Sequence, residues 1–332
     1  MLNYKIVRTV SNALVEKPVE ITRESAFKAT NINIFSGLHR IRSVKRLLKS
    51  ARKPLIFCRK TTDRSVRINA DAISAPRVSR SIVSMHDSPH NRRMAPIWLG
   101  TSGFAYKEWR PIFYPADVSD KQFLQFYGSR FNSVEIDYTF YRMPTAKTIE
   151  AWRTATPSNF RFCLKASQQI THRERLKVPS SALEYLLGVV TGLDNRLGLI
   201  LYQLPPFFKC DIPKLEMFLA VLPRGMHAAF EFRHDSWFVD DVYRLLEKYG
   251  VGLCIHDADE HTTPLKMTAP FTYVRLRRSE YTPELRSEWQ ERVRIWSRNG
   301  IEVFAYIKHE DNPNAPLIAL EFAKGLGPEV SV

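Results

Sequence analysis

No run of about 18 apolar residues occurs in the 332-residue chain, so no membrane-spanning helix is expected. The start of the chain lacks the continuous apolar core of a secretory signal. Cysteine is scarce: Cys58, Cys163, Cys210 and Cys254 are the four present, and no two stand in a CxxC or other paired spacing. Cys163 and Cys254 fall inside apolar strand patterns, where a small buried hydrophobe is the expected role. That usage fits a reducing compartment, and a cytoplasmic location is expected. Three motifs that would name a chemistry are absent as well. There is no HExxH zinc helix, no GxSxG nucleophile elbow and no Gly-rich GxGxxG turn after the first strand.

The charge that is present is unevenly spread. The formal net charge is +15, yet residues 1–93 hold 20 Lys+Arg against 6 Asp+Glu, which leaves 29 against 28 for residues 94–332. The basicity belongs to the first segment, and the remainder is close to neutral. Residues 1–93 carry no sustained hydrophobic period beyond a short basic helix pattern, IRSVKRLLKSARK, from Ile41 to Lys53. An organelle transit peptide and a nucleic-acid-binding arm are readings of that basic stretch. The reading favoured is a low-order extension upstream of a domain at 94–332, an upstream mis-start that the natural protein is expected to lack, because Met94 stands directly before the first strand pattern.

From Met94 onward, strand and helix periods alternate. The strand patterns are Ile97–Gly103, Ser133–Thr139, Arg161–Ser167, Gly198–Leu204, His227–Arg233, Gly252–Ala258, Phe271–Arg277 and Glu302–Lys308. Helical patterns cover Asp120–Phe131, Thr145–Ala155, Ser180–Leu193, Pro213–Val221, Val239–Tyr249, Pro283–Arg298 and Ala315–Gly325. Eight β/α units in a segment of this length predict a TIM (β/α)8 barrel, with a doubly wound open sheet as the alternative. Only TTPLKMTAP and its flanks separate strands six and seven, so the helix there is expected to be weak or missing.

In such barrels the working face is the C-terminal end of the strands. The last polar residues there are Ser102; Glu135 and Asp137; Lys165; Gln203; Glu231 and Arg233; Asp257; Arg275 and Arg277; and Lys308 with Glu310. Glu135 and Asp137 share one face of their strand because side chains alternate, and buried carboxylates are costly unless paired or used. Aromatic residues follow in the loops: Phe104, Tyr106 and Trp109, then Phe140 and Tyr141, then Trp237. Flat rings beside hydrogen-bonding charges suit a compact polar substrate; cover over a barrel end is the alternative meaning.

Several of these stretches together carry a resemblance. GTSGFAYKEWRPIFYP, FNSVEIDYTFYRMP, FRFCLKASQQITHRERL, LYQLPP, FEFRHDSW and YIKHED lie in order over about residues 96–325. The sequence resembles the YecE-like family of uncharacterised TIM barrels, known as domain of unknown function 72. The resemblance implies a TIM barrel with a polar pocket at the strand ends and supplies no reaction; residues 1–93 have no counterpart in it.

For chemistry, Glu231, Asp257, Glu135 and Lys165 are the candidate acid/base residues, with Arg275 or Lys308 steadying negative charge. Ser102, Tyr106, Trp109, Tyr141, His172, Gln203, Arg233, His234, Trp237, Arg275 and Lys308 are the candidate substrate contacts. In CIHDADEH, alternation is read as turning Asp257 inward and His256 outward. No cofactor is expected. A divalent metal held by Glu135, Glu231, Asp257 and His234 is the alternative, opposed by the cations in the same ring. A Ser102 nucleophile is disfavoured, and the Gly100–Gly103 turn is read instead as a source of backbone donors for an oxyanion or phosphate. Lys165 as a Schiff-base amine competes with a structural ion pair, and the THRERL loop (His172, Arg173, Arg175) is placed to close over an anion. The expected partner is a small polar or anionic ligand. A nucleic acid is a second reading, opposed by the neutral barrel, and a non-catalytic binding protein a third; the oligomeric state is left open.

Overall fold

The computed structural model describes residues 94–308, 313–327 and 330. The basic segment 1–93, including the Ile41–Lys53 helix pattern, and Glu310 lie outside the described residues. Within the described part all eight expected strands form: β1 (Ile97–Thr101), β2 (Ser133–Ile136), β3 (Arg161–Lys165), β4 (Leu197–Gln203), β5 (Ala228–Glu231), β6 (Gly252–Asp257), β7 (Phe271–Leu276) and β8 (Glu302–Ile307). They pair in parallel in the order β1-β8-β7-β6-β5-β4-β3-β2. The α-helices between them are α1 (Phe123–Gly128), α2 (Ala146–Ala155), α3 (Ser181–Val190), α4 (Ile212–Leu219), α5 (Asp240–Tyr249), α6 (Pro283–Arg298) and α7 (Ala315–Leu326). This is a TIM-barrel fold. No helix of the described residues is long and apolar enough to cross a membrane.

Local chemistry places the helix ends. Ser180 Oγ accepts from the Leu183 N–H at the start of α3, Asp211 Oδ1 from Lys214 N–H at the start of α4, and Thr282 Oγ1 from Leu285 N–H at the start of α6. Pro213 and Pro283 occupy first turns, where the missing N–H costs nothing. Gly250 ends α5 with φ 65°, a left-handed cap that lets the chain turn straight into β6.

No helix forms between β6 and β7. The intervening chain instead runs back along β6 and ties to it through threonines. Thr268 Oγ1 accepts from Leu253 N–H and donates to the Val251 carbonyl, and Thr263 Oγ1 accepts from His256 N–H.

The barrel closes between β1 and β2, where a single bridge, Ser102 with Glu135, replaces a ladder. Side chains make up the difference. Asn132 Oδ1 accepts from Leu99 N–H at 2.8 Å while its Nδ2 donates to the Ile97 carbonyl at 2.8 Å. Tyr127 OH accepts from Thr101 N–H at 2.8 Å. The approach is close enough that a Cβ on Gly100 would lie 2.0 Å from the Ser133 carbonyl oxygen. Inside the barrel, Cys163, Leu199, Leu201, Ala229, Cys254, Phe271, Tyr273, Phe304 and Tyr306 form one buried cluster. A larger apolar layer separates the sheet from the helices.

Gly100 and Gly188 give a paired test of this closure. Gly188 lies in α3 with nothing within 4 Å of an added Cβ. Gly188→Ala should gain up to about 1 kcal/mol from helix propensity. Gly100→Ala should lose about 3 kcal/mol or more, because backbone must move. Urea unfolding of the two variants decides it; equal effects would mean that the seam is not tight.

Candidate active site

The centre of the strand-end face is Arg275 on β7, whose side chain is 2% exposed. Its Nη1 donates to Glu231 Oε2 on β5 at 2.8 Å, and its Nη2 donates to Glu135 Oε1 on β2 at 2.7 Å and to Asp137 Oδ1 at 3.0 Å. The acids are braced from other directions. Glu135 accepts from Ser102 Oγ at 2.6 Å, Arg277 Nη2 at 3.1 Å and Tyr273 OH at 2.5 Å. Glu231 also accepts from Arg233. Burial by itself would raise both carboxyl pKa values, but the guanidinium charges prevail. Arg275 and Arg277 hold Glu135 down to about 2, and Arg275 and Arg233 hold Glu231 well below the usual carboxylate range.

Above this layer opens a pocket of about 340 Å³. Asp137, Lys165, Gln203, Arg233, His256, Ala258, Arg275, Arg277 and Lys308 line it, so seven strands contribute. Burial, and then the charge of Arg275, hold the Lys165 amine below the ordinary lysine value, although Asp137, Glu231 and Glu135 pull it back up. Its carboxylate contact is Asp137 at 3.8 Å, and its Nζ lies 4.4 Å from the Phe140 ring centroid. Burial also pushes the His256 imidazole down to about 4, with Glu231 opposing and Arg233, Arg275 and Arg277 reinforcing. His256 is therefore neutral at pH 7.

Of the expected site residues, Lys165, Gln203, Arg233, Arg275 and Lys308 line the pocket, and Glu135 and Glu231 form the buried layer beneath it. The structure corrects several others. Asp257 does not face inward. It accepts from Arg278 Nη2 at 2.8 Å, Tyr281 OH at 2.9 Å, Thr262 Oγ1 at 2.7 Å and Trp289 Nε1 at 3.1 Å, and it fastens β6 to α6 and the preceding loop. His256 lines the lumen in its place. The signal was in the strand: Leu253 and Ile255 supply the helix-facing side, and Asp257 shares their parity.

The Gly100–Gly103 turn is not a free anion cradle. Thr101 N–H donates to Tyr127 OH, Ser102 N–H to the Ile307 carbonyl and Gly103 N–H to the Glu135 carbonyl. Ser102 Oγ donates to Glu135 and accepts from Arg277, so it serves the buried layer. Trp109 and Trp237 are fully buried. Trp109 packs on Tyr106, and Trp237 stacks on Phe232 while its Nε1 donates to the Phe208 carbonyl. Tyr106 OH donates to the Ser102 carbonyl. His234 caps the turn at Asp235–Trp237, its Nδ1 accepting from Ser236 N–H. His172 stands behind Phe140, edge to face at 4.9 Å, and Tyr141 is exposed at the rim. The four weighed metal ligands are not brought together, because Asp257 and His234 point elsewhere. Residues that the candidate set left out are Asp137, His256 and Arg277.

A family model described as "Protein of unknown function DUF72" matches residues 98–331. The UPF0759 protein YunF of Bacillus subtilis (strain 168) is 31% identical over 156 residues, covering 44% of this chain and 54% of the relative. The UPF0759 protein YecE of Escherichia coli (strain K12) is 31% identical over 168 residues, covering 49% of this chain and 59% of the relative. The chain thus spans about half the length of the curated relatives it matches. Among solved structures, a DUF72 family protein from Thermotoga maritima MSB8 superposes with TM-score 0.61 at 26% identity, covering 70% of this chain and 99% of that one. A DUF72 family protein from Enterococcus faecalis V583 gives TM-score 0.57 at 20% identity, covering 71% and 96%, and shows the shared fold.

Two variants check the site as described. Asp257→Asn should cost about 2–3 kcal/mol by breaking its link to Arg278, with no change in pocket ligand binding. Native stability with lost binding would return Asp257 to the site. For His256 the unfolded chain binds a proton below its ordinary pKa of 6.5, while the folded chain does so only near 4. Stability therefore falls as pH drops through that window, by at most about 3 kcal/mol from this group. In urea titrations at pH 7.5 and 4.5, His256→Asn should remove most of that loss; an unchanged difference would show that the imidazole is not buried neutral.

Proposed function

Starting from the premise that the chain belongs to the DUF72 family, whose description assigns no reaction, we propose an enzyme that holds a compact anion at the barrel mouth. In this reading Lys165 transfers the proton. The observation that carries it is a charge imbalance. Among the described residues, Lys165, Arg233, Arg275, Arg277 and Lys308 gather with Asp137 and the two buried glutamates, five cations to three acids, with His256 neutral. A mouth lined by this many cationic side chains suits an anion, and a guanidinium fork matches phosphate or carboxylate oxygens. Arg275 Nε adds a buried donor with no acceptor among the described residues.

Proton transfer falls to Lys165 because the acids are poor choices. Carboxylates held ionised by two arginines each have no proton to donate near pH 7 and little basicity to offer. They serve instead to hold Arg275. An amine with lowered pKa, beside an arginine and behind an aromatic ring, is closer to the working pH. A pocket of about 340 Å³ suits one small ligand rather than a polymer. The unpaired Cys163, Cys210 and Cys254 support a cytoplasmic setting.

The test is calorimetry and a turnover screen on the full chain with inorganic phosphate, sugar phosphates and organic acids. Lys308→Met should weaken anion binding about tenfold or more. Lys165→Met should keep binding within a few-fold and lose turnover by about 10²–10⁴. Stabilisation by divalent cations alone, or unimpaired binding in Lys308→Met, would overturn the reading.

A further inference from the structure

Large aromatic side chains stand in the open in two of the loops that follow pocket-lining strands. Tyr141, in the loop after β2, is 71% exposed, and Phe207, in the loop after β4, is 61% exposed. Neither is stranded on bare surface. Tyr141 meets Phe140 edge to face at 5.1 Å, and Phe140 in turn covers Lys165 Nζ at 4.4 Å, so one ring links Tyr141 to a pocket residue. Phe207 follows Gln203, a pocket residue, by four positions, and Arg175 lies 5.1 Å from its ring centroid.

The loop that delivers Arg175 is strained to do so. Arg175 and Leu176 have φ of 49° and 62°, two successive non-glycine residues in the left-handed region. Such backbone costs on the order of 1–3 kcal/mol per residue and persists where the surroundings over-determine it. Here Leu176 is buried, and Glu174 is held by Gln169 Nε2 at 3.0 Å and by Ser180 Oγ. A solvated loop arginine would need none of this. A guanidinium fixed beside an exposed ring is the arrangement that receives a flat, electron-rich ring.

We propose that the ligand is a nucleoside phosphate or an anion of that build, with its charged end in the pocket and its planar ring on Tyr141, Phe207 and Arg175. The inference rests on the anion reading above and extends it to a substrate class. A single nucleotide fits better than a strand: residues 94–332 carry 29 Lys+Arg against 28 Asp+Glu, too even a balance for a phosphate-tracking surface.

The experiment uses the full chain and isothermal titration with inorganic phosphate, ribose 5-phosphate, nucleoside monophosphates and a short single-stranded oligonucleotide. Nucleoside monophosphates should bind at least about tenfold tighter than ribose 5-phosphate, the increment expected of one base stacked on aromatic rings. Because both side chains are exposed, Tyr141→Ala/Phe207→Ala should fold normally, which thermal unfolding verifies. That double variant should lose the base-dependent gain and bind inorganic phosphate as wild type does. If phosphate binds but the base adds nothing, or the double variant keeps the gain, the platform is wrong while the anion pocket stands. If no anion binds, the pocket reading fails and takes this one with it. Oligonucleotide binding tighter than mononucleotide and steeply salt-dependent would overturn the proposal in favour of a polymer.

Discussion

A single buried guanidinium organises this barrel. Arg275 donates to carboxylates from β5 and β2 and thereby joins opposite walls of the lumen. Removing a guanidinium and two carboxylates from water is expensive, and the layer is tolerable only because each group makes several charge-assisted hydrogen bonds. Those bonds fix the rest of the site. Glu135 and Glu231 stay ionised, Arg233 and Arg277 are drawn inward to them, and Lys165 and Lys308 line the pocket above.

The same layer is tied to barrel closure. Glu135 takes part in the one bridge between β1 and β2, and its carbonyl accepts from Gly103 N–H while its carboxylate accepts from Ser102 Oγ on the facing strand. One residue therefore helps to seal the seam through its backbone and to anchor Arg275 through its side chain. Deeper in the lumen, Tyr306 OH donates to Cys163 Sγ at 3.0 Å, and burial pushes the Cys163 thiol well up. These buried thiols are packing elements and remain protonated.

The fold was legible in the sequence to a fine grain, since each strand pattern and the missing helix before β7 follow from period and punctuation. The inward face of β2 was legible too, because Val134 and Ile136 leave Glu135 and Asp137 the lumen. Alternation separates His256 from Asp257 without saying which of them faces the lumen; Leu253 and Ile255, on the helix-facing side of the same strand, place Asp257 outside with them. Hydrogen-bond partners that come from distant chain are not legible. Nothing near Gly100 in the sequence announces that Tyr127 and the β8 backbone consume the turn's donors. Trp109 and Trp237 were indistinguishable from ligand-facing aromatics until their own neighbours, Tyr106 and Phe232, were in place.

The whole strand-end layer depends on Glu135 and Glu231 being locked as carboxylates by Arg275. Carbon-13 NMR of the full chain labelled at glutamate side-chain carboxyls, titrated across the folded range and assigned with Glu135→Gln and Glu231→Gln, measures this directly. Both resonances should remain at the ionised position down to the acid limit of the folded state, below the ordinary glutamate pKa of 4.5. Either carboxyl titrating with a midpoint above that value would contradict the account and restore a glutamate as the proton-transferring group.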